Sequence, residues 1–307
     1  MRFALGAMSL GTATGQAESF ALLDRFAEAG GTMIDTANNY IFWVPGGTGD
    51  ESELVVGAWM AARGNRESVV VGTKAGARPT VPGDLTLDSA EGLSAGVVRK
   101  AADDSLRRLR TDYVDVYWAH IEDRAVPLEE TLGAFDELAG AGKIREAGAS
   151  NLPVWRLERA RELARSRGAL PYTHLQLRHS YLRPRPGAKL QESAHVQVTE
   201  ETLDYVRAEP DLTLWAYSAL MSGAYTRTDR PMQEAYDHPG TTRRLAALDE
   251  VAGELGVTRN QVVLAWLMGS GVRPIVGVTR MEQLEEAIGA ESVTLDDAQV
   301  TRLESAA

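Results

Sequence analysis

The chain has 307 residues, 44% hydrophobic and 24% charged, with a formal net charge of -11. This is the balance of a folded globular protein rather than a disordered one, and the negative charge argues against nonspecific binding to nucleic acid or to an anionic membrane surface. There is no cysteine, which excludes disulfides, thiolate nucleophiles and cysteine metal sites.

The first apolar run, ALGAMSL (4–10), follows one basic residue and is broken by Gly6 and Ser9. It reads as a core strand rather than the apolar region of a signal peptide. No stretch reaches the roughly 20 apolar residues of a membrane span, and a cytoplasmic protein is expected. Further strand-like runs follow in order: GTMID (31–35), SVVVGTK (68–74), DYVDVYWAH (112–120), KIREAGAS (143–150), THLQL (173–177), DLTLWAY (211–217) and VRPIVGV (272–278). Amphipathic segments lie between them. In 93–109, Val97, Val98, Ala101, Leu106 and Leu109 recur at helical spacing. Leu128, Leu132, Phe135 and Leu138 do so in 128–139, and Trp155, Leu157, Ala160 and Leu163 in 154–165.

Eight strands alternating with at least eight helices fit one closed (β/α)8 TIM barrel spanning 1–307, a fold of typically about 250 residues. A doubly wound sheet would usually carry a glycine-rich phosphate loop after its first strand. Neither G-x-G-x-x-G nor G-x-x-x-x-G-K-[ST] occurs. The Gly- and Pro-rich pieces at 41–50, 76–88, 183–199 and 221–241 follow strands, so they read as long βα loops on one face.

Active sites of such barrels lie at the carboxyl ends of the strands. Here those ends carry Asp35, Lys74, His120, Ser150 with Asn151, Gln176, Tyr217, and Thr279 with Arg280. Tyrosine is a poor acid, with a pKa of about 10. A nearby ammonium favours the phenolate and eases proton donation. A carboxylate paired to that lysine fixes it and keeps it charged, and a histidine can polarise a substrate oxygen. Tyr40, Lys74, Asp35 and His120 therefore suit a proton donor facing a carbonyl. Ser150, Asn151 and Gln176 beside Tyr217 suit a planar ring bearing a carboxamide, as in nicotinamide.

These residues lie in DTANNY (35–40), GTKAG (72–76), SLRRLRTDYVDVYWAH (105–120), GASN (148–151), LQLRHSYL (175–182), WAYSAL (215–220) and GVTRMEQLEEA (277–287). In that order, across nearly the whole chain, the set resembles the aldo-keto reductases. The resemblance implies NADPH-dependent reduction of a small-molecule aldehyde or ketone. It makes Tyr40 the general acid, tuned by Lys74 and Asp35, with His120 orienting the carbonyl. It implies carboxamide contacts from Ser150, Asn151 and Gln176, and stacking on Tyr217. Ser218, Leu220, Gly277, Thr279, Arg280, Gln283 and Glu286 are the further cofactor positions it implies, with Arg280 meeting the 2′-phosphate of NADP at a helix N-terminus.

The sequence departs from the family pattern in places. Ala287 stands where an adenine-contacting Asn is usual, Val276 replaces a frequent Pro, and His179 and Ser180 replace a common Tyr-Asn pair. The first strand begins almost at Met1, so the family's N-terminal hairpin is expected to be absent. Ser52 and Glu53 arrive late, which enlarges the loop after Tyr40. Phe42 and Trp43 in that loop read equally as cover for the core or as substrate contacts.

Simpler readings accompany several residues. Asp35 could cap a turn. His174 and His179 should point to opposite faces and make poor metal partners. His195 and His238 are expected in solvent, and RRLR (107–110) as a solvated helix end. Two other functions are open at this stage: a Schiff-base lyase or aldolase using Lys74, and an NADPH-binding regulatory protein with little turnover.

Overall fold

The computed structural model describes residues 1–188 and 194–306. Eight parallel strands close on themselves in chain order. They are β1 (Ala4–Gly6), β2 (Met33–Asp35), β3 (Val70–Ala75), β4 (Val114–Ala119), β5 (Ile144–Ser150), β6 (Tyr172–Arg178), β7 (Thr213–Tyr217) and β8 (Arg273–Gly277). The helices are α1 (Gln16–Glu28), α2 (Glu51–Arg63), α3 (Ala95–Leu109), α4 (Leu128–Gly140), α5 (Val154–Arg167), α6 (Glu200–Ala208), α7 (Pro239–Leu255), α8 (Arg259–Gly269), α9 (Met281–Gly289) and α10 (Asp297–Ser305). This is the (β/α)8 barrel expected from the alternation. The helix count exceeds a simple one-per-strand pattern because α7 and α8 both lie between β7 and β8, and α9 and α10 both follow β8.

Alternation along each strand divides the interior in two. Ala4, Met33, Val116, Trp118, Trp215 and Ile275 point inward and pack with one another. Leu5, Ile34, Tyr117, Leu175, Leu177 and Leu214 point outward and join the larger core under the helices. Trp118 lies so close to β5 that a Cβ at Gly148 would come within 2.4 Å of its ring, so glycine is needed there for space. On the outer layer, α3 buries Val98, Ala101, Ala102, Ser105 and Leu109, at helical spacing. Capping boxes start α8 (Thr258 with Gln261) and α10 (Asp296 with Gln299).

The expected first strand, 4–10, is shorter in the structure. It ends at Gly6, because Leu10 N–H turns back to the Ala7 carbonyl at 3.0 Å. RRLR is only partly solvated. Arg107 and Arg110 are exposed, but Arg108 turns inward, its Nε 2.6 Å from the buried Glu53 carboxylate. His195 and His238 are half-buried, not in solvent. His195 packs edge-on to Tyr217, with ring centroids 5.1 Å apart, and His238 Nε2 lies 2.9 Å from the Arg183 carbonyl oxygen. His174 and His179 do diverge: the first meets Trp118 and Trp215 inside the barrel, the second Trp266 of α8. The loop read at 183–199 includes 189–193, which lie outside the described residues. Its end, at Gln197, pairs with Arg178 of β6. No helix among the described residues is long and apolar enough to cross a membrane.

Candidate active site

Strand register brings the polar strand ends to one mouth. Asp35 pairs with Gly72, Lys74 with Trp118, and Ser150 with Gln176. Asp35 closes β2, Lys74 lies one residue before the end of β3, and His120 follows β4, its amide bonded to the Ala75 carbonyl at 2.8 Å.

Lys74 and Asp35 are buried together, with Nζ 2.5 Å from Oδ2. Lys74 Nζ also donates to the Thr36 carbonyl at 2.7 Å and to Tyr40 Oη at 2.8 Å. Three acceptors match the three N–H bonds of an ammonium. Tyr40 Oη donates to Asp35 Oδ2 at 3.2 Å. Gln176 Nε2 donates to the other carboxylate oxygen at 3.1 Å. A buried charge pair needs this kind of satisfaction to be tolerated.

The electrostatics differ from the expectation for an ammonium beside a phenol. Burial, then the Asp35 carboxylate, hold the Tyr40 phenol well above its ordinary pKa. Burial lowers Lys74, with Asp35 opposing that shift. The same carboxylate that fixes Lys74 thus works against ionisation of Tyr40, and the phenol keeps its proton at neutral pH. His120 faces Tyr40 edge-on, with ring centroids 6.1 Å apart. Burial, then the charges of Lys74 and His195, push its pKa well below the usual value, so its imidazole is neutral. Its Nδ1 is buried without a hydrogen-bond partner among the described residues.

The amide patch is bonded within the protein. Asn151 adopts a left-handed backbone, φ +56°, which Asn tolerates better than most residues. Its Nδ2 donates to the His120 carbonyl and to Ser150 Oγ, each at 3.1 Å. Its Oδ1 accepts from Tyr217 Oη at 2.7 Å and from the Val196 amide at 3.1 Å. Gln176 serves Asp35. Asn151 and Gln176 therefore brace the site internally. Ser218 and Leu220 are half-buried in the loop after β7, where Ser218, Met221 and Ser222 all have positive φ.

At the far end of the mouth, Gly277 ends β8 beside Gly6. Thr279 donates through N and Oγ1 to Gln283 Oε1, at 2.8 and 3.1 Å. Arg280 is exposed at the N-cap of α9. Glu286 is engaged by Thr258 Oγ1 at 2.6 Å and Asn260 Nδ2 at 3.0 Å. Phe42 and Trp43 stack edge-to-face, with centroids 5.2 Å apart. Trp43 is 43% exposed, so it does not plug the core.

Several site-building residues carried no signal in the sequence. The Thr36 carbonyl is a backbone acceptor, invisible to residue type. Asn38 and Asn39 reach the loop after β3, to Glu91 Oε1 at 2.8 Å and to the Ala77 carbonyl at 3.0 Å. The two asparagines before Tyr40 were the available clue. His195 had none.

The barrel and its polar mouth agree with what the chain is similar to. The sequence pattern of the Aldo/keto reductase family matches residues 2–307. Norsolorinic acid reductase stcV of Emericella nidulans is 32% identical over 93% of this chain and 71% of its own length. An uncharacterized oxidoreductase, YrpG of Bacillus subtilis, is 31% identical over 96% of this chain and 88% of its own. A crystal structure of a thermostable aldo-keto reductase, Tm1743, in complex with the inhibitor epalrestat superposes with a TM-score of 0.74. It shares 26% identity and covers 100% of this chain and 95% of that one. The chain belongs to the aldo/keto reductase family.

Proposed function

We propose that the protein reduces the carbonyl of a small aldehyde or ketone with NADPH, and that Tyr40 is the acid. The observation that carries this reading is the buried pair of Asp35 and Lys74 bonded to the half-buried Tyr40, beside a neutral His120. When bound, the reduced nicotinamide supplies the hydride. Tyr40 holds a proton that burial and Asp35 keep on its oxygen, ready for an alkoxide developing at the carbonyl. Lys74 compensates the phenolate left behind. His120, uncharged, offers an N–H to the same substrate oxygen and so fixes the carbonyl toward Tyr40.

The residues fit the cofactor in two respects. Arg280 stands exposed at the start of α9, where a charge-assisted bond and the helix N-terminus both favour a phosphate. Tyr217 offers a ring held in place through Asn151. The internally bonded Asn151 leaves stacking as the main part Tyr217 plays, with Ser150 as the freer polar neighbour. Ser218, Leu220, Gly277, Thr279, Gln283 and Glu286 complete the proposed cleft. Phe42 and Trp43, standing out on the loop after Tyr40, line the substrate entrance in this reading. The Schiff-base alternative loses support from Lys74 itself, whose three N–H bonds are all taken.

The test is oxidation of NADPH against a broad carbonyl panel, with Tyr40→Phe in parallel. The variant should bind NADPH and lose most reduction. Normal turnover by Tyr40→Phe rules Tyr40 out as the acid.

A further inference from the structure

The segment between β2 and α2 carries Tyr40, and one guanidinium joins its two ends. Arg78 Nη1 donates to the Asn38 carbonyl at 2.6 Å and to Asp50 Oδ1 at 2.5 Å, while Nη2 donates to the Thr48 carbonyl at 3.0 Å. Asn38 precedes Tyr40 by two residues, and Thr48 and Asp50 lie where the enlarged loop returns to α2. Arg78 is half-buried and braced in turn. Its carbonyl accepts from the Glu91 amide at 2.8 Å, next to the bridge between Pro79 and Ala90. Glu91 Oε1 accepts from both Asn38 Nδ2 and the Gly76 amide, each at 2.8 Å.

Between those ends, Asn39 Nδ2 donates to the Ala77 carbonyl at 3.0 Å and Tyr40 meets Asp35 and Lys74; beyond Tyr40 the backbone turns on itself, Val44 N–H to the Ile41 carbonyl and Gly47 N–H to the Val44 carbonyl. Ile41, directly after Tyr40, has φ +67°. A β-branched residue keeps that conformation only when its surroundings impose it. Below the clamp, the direct backbone tie of Asn38 to Lys74 is long, 3.3 Å. The backbone leading into Tyr40 is therefore held by side-chain ties as well, Arg78 and Glu91 on Asn38 and the Asn39 amide on the Ala77 carbonyl.

We infer that Arg78 is a positioning residue for Tyr40: its planar fork closes the enlarged loop and, with Glu91, sets the distance of the phenol from Lys74. The inference rests on the reading of Tyr40 as the acid. Arg78 and Lys74 lie on the same strand and the loop that follows it, so β3 delivers both the charge partner of Tyr40 and the clamp on its loop. A lysine at 78 could reach one of the three acceptors but not span them, because an ammonium lacks the fork.

The experiment compares wild type, Tyr40→Phe, Arg78→Met and Arg78→Lys. It measures hydrogen–deuterium exchange over 36–50 in the free protein. It also measures kcat and the KM for NADPH with a carbonyl that the wild type reduces. Arg78→Met should lose kcat by about 10- to 100-fold, the scale of a misplaced reacting group. Its KM for NADPH should stay within about twofold, since uniform binding is untouched. Exchange should quicken over 36–50 and not in β3 or β4, and Arg78→Lys should fall between. Wild-type exchange and kcat in Arg78→Met, with Tyr40→Phe inactive, overturns the clamp. If Arg78→Met does not fold, the same result in Arg78→Lys overturns it. Faster exchange in Arg78→Met with full turnover by Tyr40→Phe instead overturns the acid role, and the catalytic meaning of the clamp with it.

Discussion

Lys74 and Tyr40, 34 positions apart in sequence, meet with Nζ 2.8 Å from Oη, and the ammonium also lies 4.8 Å from the centre of the phenol ring. Asp35 Oδ2 holds the ammonium at 2.5 Å and accepts from the same phenol at 3.2 Å, closing a triangle of the three groups. The three groups form one electrostatic unit in which the carboxylate anchors the lysine and at the same time disfavours the phenolate.

This coupling predicts an asymmetry in stability. Lys74→Met leaves the Asp35 carboxylate buried without its counter-charge, which should destabilise the fold by about 3–5 kcal/mol. Asp35→Asn combined with Lys74→Met removes both charges, and should recover much of that loss without recovering reduction. Urea unfolding of the two variants measures it. If the double variant is as unstable as Lys74→Met, the cost lies in packing rather than in the orphaned charge.

The fold was legible because strand and helix periodicity recurs eight times, and because the strand ends carry polar residues where a soluble strand would otherwise end in a turn. The polar cluster at the mouth was legible for the same reason: Asp35, Lys74 and His120 are side chains at strand ends. Bracing was not. Whether Asn151 and Gln176 face a ligand or their own neighbours depends on rotamers and on loops far away in sequence, such as the Val196 amide. The direction of the Tyr40 shift was also hidden, since it turns on burial and on Asp35 lying within hydrogen-bond reach, not on which residue types are present. Arg108 shows the same limit. In a basic run it reads as solvated, yet Glu53 one helix away draws it inward.

Trp43 leaves 43% of its surface exposed while its ring stacks on Phe42. A side chain so placed gives little to the core. Trp43→Ala should change relative kcat/KM across a carbonyl panel, most for bulky aromatic substrates, where losing one aromatic contact costs about 0.5–1.5 kcal/mol, or roughly 2- to 12-fold. NADPH affinity should hold. Uniform kinetics over the panel would return Trp43 to a structural role in its loop.

Arg280 predicts the choice of cofactor. In the proposed function, an exposed guanidinium at the N-cap of α9 would meet a 2′-phosphate at little cost in burial, a phosphate that NADH lacks. Arg280→Ala should weaken NADPH by roughly 10- to 100-fold, as for one charge-assisted contact, and leave NADH nearly unchanged. Fluorescence titration with both cofactors measures this. Equal weakening would place the phosphate elsewhere.

His179 predicts how the fold responds to acid. Its ring is buried against Trp266, and burial, with a smaller contribution from Arg183, lowers its pKa to about 3. An unfolded histidine titrates near 6.5. Above that pH both states are neutral and His179 gives no pH dependence. Below it the unfolded chain binds a proton that the native state refuses, so stability falls as pH drops, until the native pKa is reached. The slope approaches about 1.4 kcal/mol per pH unit for one such group, and His120, shifted the same way, adds to it. His179→Gln should therefore flatten the fall in unfolding free energy between pH 6.5 and about 4, whatever it does to stability at neutral pH. Urea unfolding at a series of pH values gives both slopes. An unchanged slope would mean that the native state protonates His179 after all, through an opening of its packing against α8.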